Sequence, residues 1–170
     1  MAQEEEAPLV VVMGVSGSGK TTVGQSLAQS LDVPFAEADD FHPPENVAKM
    51  RAGIALDDED RAPWLVTIAE WLLEQRPRGG VITCSALKRR YRERLAAAAP
   101  SVFFIHLHGS AELIARRINA RRGHFMPVSL LQSQLDTLEP LAADERGALV
   151  PVSGTVEETT RLALAAVRQR

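Results

Sequence analysis

The chain is poor in cysteine, in aromatic residues and in net charge, and each shortage removes a class of explanation. Its 170 residues include one cysteine, Cys84, so no internal disulfide can form and the fold must rest on its own core. Cys84 itself reads as a buried strand residue. Aromatic residues make up 5% of the sequence, and 19 basic residues stand against 22 acidic ones for a formal net charge of −3. General electrostatic attraction to nucleic acid or to an anionic membrane is therefore excluded, and any anion must be bound locally. Long apolar runs are also missing: the best candidate, Leu9 to Val15, falls well short of the roughly 20 residues that cross a bilayer and runs into glycines. Residues 1–8 are acidic and lack the basic and apolar regions of a signal peptide, so we read them as a disordered leader and the protein as cytoplasmic.

What is present is a 45% hydrophobic composition, enough for one core, and we expect residues 9–170 to form a single domain. Leu9 to Met13 is a short apolar run rich in β-branched residues and ended by glycine, which predicts a buried parallel strand. Val23, Leu27 and Leu31 then fall on one stripe of a helix that starts near Lys20 and ends before Pro34. Further strands are expected at Val33 to Ala38, Val81 to Cys84, Val102 to Leu107 and Leu149 to Val152. Between them lie helical stretches: two from Glu45 to Arg76, then Leu87 to Ala99, Ala111 to Arg122 and Val128 to Leu138. A last helix opens on the capping-box pair Thr155 and Glu158, with Leu162, Ala163, Ala166 and Val167 as its buried stripe. This alternation predicts an α/β fold of three layers, a five-stranded parallel sheet with helices on both faces.

Gly14 to Thr21 fits G-x-x-x-x-G-K-[ST] and lies between a predicted strand and a predicted helix, the context that gives the pattern its meaning. Glycines 14, 17 and 19 let the backbone fold so that several N–H groups point at one anion, and the helix dipole adds to the field. Gly14, Ser16, Gly17, Ser18, Gly19, Lys20, Thr21 and Thr22 are thus the expected nucleotide-binding residues. Lys20 serves the β- and γ-phosphates, and the Thr21 hydroxyl serves Mg²⁺. A bound nucleoside triphosphate follows from the loop; the acceptor of its phosphate does not.

Water-activating nucleotide hydrolases carry an aspartate at the end of the strand beside the loop, but Val81 to Ser85 ends in serine. Asp39 and Asp40 instead follow predicted strand two, where the ends of parallel strands open onto a ligand crevice. Asp39 is the candidate to orient an attacking hydroxyl or to accept its proton. Arg117 and Arg121 lie four apart on one helix face, where they could embrace phosphates or simply face solvent.

Taken together, several blocks resemble the gluconate kinases of the thermoresistant type, relatives of shikimate and nucleoside-monophosphate kinases. They are Met13 to Thr21, Asp39 to Pro43, Asn46 with Lys49 and Met50, Gly53 and Ile54 with Leu56, Asp60 and Arg61 with Pro63 to Leu65, Cys84 to Lys88 with Tyr91 and Arg92, and Gly123 to Pro140. The resemblance implies a P-loop kinase fold with a short lid at about 122–128, ATP and Mg²⁺ as cosubstrate and metal, and transfer to the 6-hydroxyl of D-gluconate. It implies catalytic roles for Lys20, Asp39 and Arg121, with Arg117 and Arg121 on the nucleotide. For the acceptor it suggests Asp39, His42, Arg61, Ser85, Lys88, Arg92, His124 and Gln134, since an anionic polyol needs a cation for its carboxylate and small polar partners for its hydroxyls. It also suggests a homodimer. His106 and His108 match no block and are read as structural.

Overall fold

The apolar run Leu9–Met13 forms strand β1 and is wholly buried, as only the central strand of a sheet covered on both faces can be. The computed structural model describes residues 6–120 and 128–170. Around β1 the other strands, β2 (Phe35–Glu37), β3 (Gly80–Thr83), β4 (Phe103–His108) and β5 (Gly147–Pro151), pair in parallel in the order β2-β3-β1-β4-β5. Five parallel strands were expected. β2 is shorter than Val33 to Ala38 because its ladder with β3 spans only Phe35 to Glu37, after which Ala38–Phe41 tightens into a 3₁₀ turn.

Alternation along β1 divides the core. Leu9, Val11 and Met13 face Trp64, Leu65, Ile68 and Leu72 of α3 (Asp58–Gln75) and Tyr91 and Leu95 of α4 (Arg89–Ala98). Val10 and Val12 face Val23 and Leu27 of α1 (Lys20–Leu31) and Ala163 and Val167 of α7 (Val156–Arg168). Helix α2 (Pro44–Arg51) starts on a proline, which at that position gives up no hydrogen bond, so the Pro43-Pro44 pair turns the chain and then opens a helix. Both α3 and α7 begin with complete capping boxes, Asp57 with Asp60 and Thr155 with Glu158. The expected stripe on α7 is corrected at one place: Leu162 is half-exposed, and Thr159 and Thr160 take the buried positions.

A smaller cluster places helix α5 (Ala111–Ala120) and helix α6 (Val128–Thr137) against the sheet's C-terminal edge, where Val15, Ile114, Ile118 and Leu131 meet. Chain order begins before Leu9, since the Pro8 carbonyl accepts from Gly80 N–H at 2.8 Å and the Glu6 carbonyl from Arg170. The leader as expected, residues 1–8, is therefore tied down at its last residues. Among the described residues no helix is long and apolar enough to cross a membrane.

Candidate functional site

The segment from β1 to α1 turns at three glycines. Gly14, Gly17 and Gly19 all have positive φ, and a Cβ on Gly17 would lie 2.3 Å from Ile118. Helix α1 then starts without a side-chain cap and without an acidic residue in its first turn, so its leading N–H groups are left for an outside anion. The Lys20 ammonium folds back onto the carbonyls of Gly14 and Val15 at 2.9 and 3.0 Å. Burial lowers its pKa from the ordinary lysine value, while nearby negative groups, Asp39 foremost, pull the other way. Ser18 Oγ is buried with no hydrogen-bond partner among the described residues. A desolvated cation, an uncapped helix start and an orphaned hydroxyl in one loop are what a polyphosphate would satisfy.

On one side of the loop lies a cavity of about 340 Å³, walled by Gly19, Thr22, Arg117, Gly154, Thr155 and Thr159 among others. Arg117 of α5 donates to the carbonyls of Val152 and Gly154, which holds its side chain in the wall of this cavity. On the loop itself, Gln134 of α6 accepts from Ser16 N–H at 2.7 Å and donates to Ser16 Oγ at 3.0 Å.

Across the loop, Thr21 Oγ1 donates to Glu37 Oε1 at 2.5 Å. Asp39, two residues on and exposed, stands in the 3₁₀ turn. That turn is pinned by Trp64, whose indole N–H donates to the Ala38 carbonyl at 2.6 Å. His42 stacks on the Trp64 ring, with centroids 4.4 Å apart and planes 9° from parallel. Arg61 donates to the Tyr91 hydroxyl at 3.3 Å, and the Lys88 ammonium and the Arg61 guanidinium each lie 5.7 Å from the Tyr91 ring centre. This cationic cluster is answered by Asp58, which accepts from Tyr91 Oη and pairs with Lys88 and Arg90. The Tyr91 hydroxyl holds the Asp58 carboxyl below its usual range, with the two cations adding to it.

Comparison with known proteins gives the family. The family described as shikimate kinase matches residues 16–160. A gluconokinase of Gluconobacter oxydans (strain 621H) is 52% identical over 147 residues, covering 85% of this chain and 82% of that protein. The thermosensitive gluconokinase of Escherichia coli (strain K12) is 44% identical over 165 residues, covering 94% and 88%. The chain belongs to the gluconokinase family. The crystal structure of a gluconokinase from Sinorhizobium meliloti 1021 superposes with a TM-score of 0.89 at 48% identity, covering 95% of this chain and 92% of that one. Over the whole fold, the chain is therefore built as a gluconokinase-family member.

Of the expected site residues, Lys20 lies within electrostatic reach of Asp39, His42 within reach of Asp39 and Arg61, and Arg61 and Lys88 share the Tyr91 ring, while the Ser85 carbonyl accepts from Gly14 N–H at 3.3 Å. One expectation is corrected. Arg92 is not free to meet an acceptor carboxylate: it is 1% exposed, and four hydrogen bonds engage it with Glu145, Ala86 O and Pro140 O. Gln134 is engaged with Ser16 of the phosphate loop through both ends of its amide. Arg121, His124 and the lid span 122–127 lie outside the described residues. His106 is buried, and burial brings its ring down to about 4, so it stays neutral as a structural residue. Cys84 is buried too, its thiol pushed up to about 12 by burial.

The sequence reading gave no role to Glu37, Asn46, Asp58 or Tyr91, although Asn46 and Tyr91 stand in the matching blocks. A signal existed for Glu37: on an extended segment, residues two apart share a face, so Glu37 and Asp39 were a pair to be read together.

Proposed function

We propose that this chain transfers the γ-phosphoryl group of ATP to the 6-hydroxyl of D-gluconate, giving 6-phosphogluconate and ADP. The single observation that carries the reading is the position of Lys20. Its ammonium lies in the phosphate loop yet feels the Asp39 carboxylate of the acceptor side, so phosphate donor and hydroxyl acceptor would meet at one point. The cavity beside Gly19, Arg117 and Thr155 suits the nucleoside of ATP, with the uncapped start of α1 on its phosphates.

Thr21 and Glu37 are the residues that would hold Mg²⁺, and a hydroxyl with a neighbouring carboxylate fits a metal that keeps most of its waters and takes few protein ligands. When bound, the metal would neutralise charge on the phosphates as the phosphoryl group moves. The protein's own work is positioning. Lys20 stabilises the developing charge, Asp39 orients the 6-hydroxyl and accepts its proton, and Arg61 and Lys88 receive the carboxylate at the far end of the acceptor. Asp58 fills that cationic cluster here, so the acceptor's carboxylate would exchange with it.

Family resemblance also supports a cytoplasmic enzyme that forms a homodimer. ATP consumption measured across D-gluconate, shikimate and nucleoside monophosphates tests the acceptor, with D-gluconate expected to be the preferred one.

A further inference from the structure

His42 stands among the acceptor residues, but a histidine can present either a donor or a lone pair, and the two are opposite in chemistry. The neighbours of His42 settle which. Asn46 of α2 is 2% exposed, with its Nδ2 2.8 Å from the Asp60 carbonyl and 3.2 Å from His42 Nδ1. A carbonyl can only accept, so Asp60 fixes which end of the Asn46 amide carries the hydrogens. The second Nδ2 hydrogen then faces Nδ1 of His42, and Nδ1 must accept it. Burial lowers the His42 pKa, and although Asp39 opposes this, Arg61 adds to it, so the ring is neutral near pH 7. The single ring proton therefore sits on Nε2. With one face of the ring on Trp64 and Nδ1 taken, Nε2–H makes no hydrogen bond among the described residues.

We propose that Asn46 is a positioning residue that locks His42 as its Nε2–H tautomer, so that His42 donates to a hydroxyl oxygen of the polyol acceptor beside Asp39. The pairing is complementary. Each acceptor hydroxyl both donates and accepts, the Asp39 carboxylate can only accept, and His42 in this tautomer can only donate from Nε2. The opposite tautomer would set two acceptors side by side and leave the hydroxyl oxygen unpaired. The anchor is firm because Asp60 is held from three sides: its carbonyl by Asn46, and its carboxylate by Lys49 at 2.7 Å and by Asp57 N–H at 3.0 Å. The proposal rests on the acceptor reading given above, and its test separates the two.

Long-range ¹H–¹⁵N NMR of the full-length protein distinguishes a protonated from a bare ring nitrogen. His42 should show a bare Nδ1 and a protonated Nε2, and a protonated Nδ1 would overturn the proposal without touching the acceptor assignment. Asn46→Ala should raise the acceptor KM about three- to tenfold, the value of one neutral hydrogen bond, with kcat and the ATP KM within twofold. His42→Gln supplies the control, since its amide can place N–H where Nε2–H was and has no tautomer to set. In that background Asn46→Ala should add little to the acceptor KM. An equal rise in both backgrounds, or no rise in either, would mean that Asn46 does not act through the tautomer and would overturn the proposal. If D-gluconate is not turned over at all, the acceptor reading fails on its own, and the proposal falls with it even where NMR finds the expected tautomer.

Discussion

Thr21 at the start of α1 and Glu37 at the end of β2 are joined by a 2.5 Å hydrogen bond, although the two residues come from different strand-helix units of the sheet. The bond brings a carboxylate to the hydroxyl that closes the phosphate loop. We expect Glu37→Gln to raise the Mg²⁺ concentration for half-maximal rate about tenfold, with the acceptor KM little changed. A Mg²⁺ titration of initial rates checks this, and an unchanged dependence would remove Glu37 from the metal's surroundings.

Lys20 separates activity from stability. Its ammonium is desolvated against the carbonyls of Gly14 and Val15, so Lys20→Met should leave thermal stability unchanged or slightly raised. Turnover should fall by about 10²-fold or more, since the developing phosphoryl charge loses its cation. Melting curves and single-turnover rates measured side by side test both halves.

Gln134 braces the loop through Ser16, and Gln134→Ala removes both hydrogen bonds at once. The ATP KM should rise by about three- to tenfold while the acceptor KM stays constant. A change confined to the acceptor KM would restore the acceptor role expected from the sequence.

Arg92 and Glu145 form a pair 1% and 8% exposed that ties α4 to the segment before β5. Removing one partner by Glu145→Ala strands a buried guanidinium and should cost about 3 kcal/mol. Burial pushes the Glu145 carboxyl up, but the Arg92 hydrogen bonds, the Ala142 N–H and the Arg92 and Arg89 charges outweigh it and hold the carboxyl below its ordinary value. The unfolded chain then binds more protons at Glu145 than the folded one. The pair's contribution is therefore full above about pH 4.3, the ordinary glutamate value, and is lost as pH falls through the lower folded value. Denaturant unfolding from pH 6 to pH 3 should show a shallower acid loss in Glu145→Gln than in the wild type.

The strands at Leu9, Val81 and Val102 were legible because a central parallel strand needs apolar residues on both faces, and a run of them has few other uses. The phosphate loop was legible because its lysine and hydroxyl serve no purpose in a plain turn. Arg92 was misread for a physical reason. A guanidinium in a matching block can address a ligand or a buried carboxylate, and its partner Glu145 lies 53 residues away, where no spacing rule reaches. Leu162 misled in the opposite way, since the buried face of α7 runs through Thr159, Thr160, Ala163 and Val167 and leaves this apolar residue outside it. Asn46 stood in a matching block, but nothing in the sequence told its role, which depends on Asp60 and His42 converging on one amide.

The most direct test of the central claim is a coupled assay of Mg²⁺-dependent ATP consumption with D-gluconate as acceptor, with the product identified by mass and by its oxidation by 6-phosphogluconate dehydrogenase. The account predicts D-gluconate-dependent turnover that yields 6-phosphogluconate and is nearly abolished by Asp39→Asn. Turnover with shikimate or a nucleoside monophosphate in place of D-gluconate would contradict it.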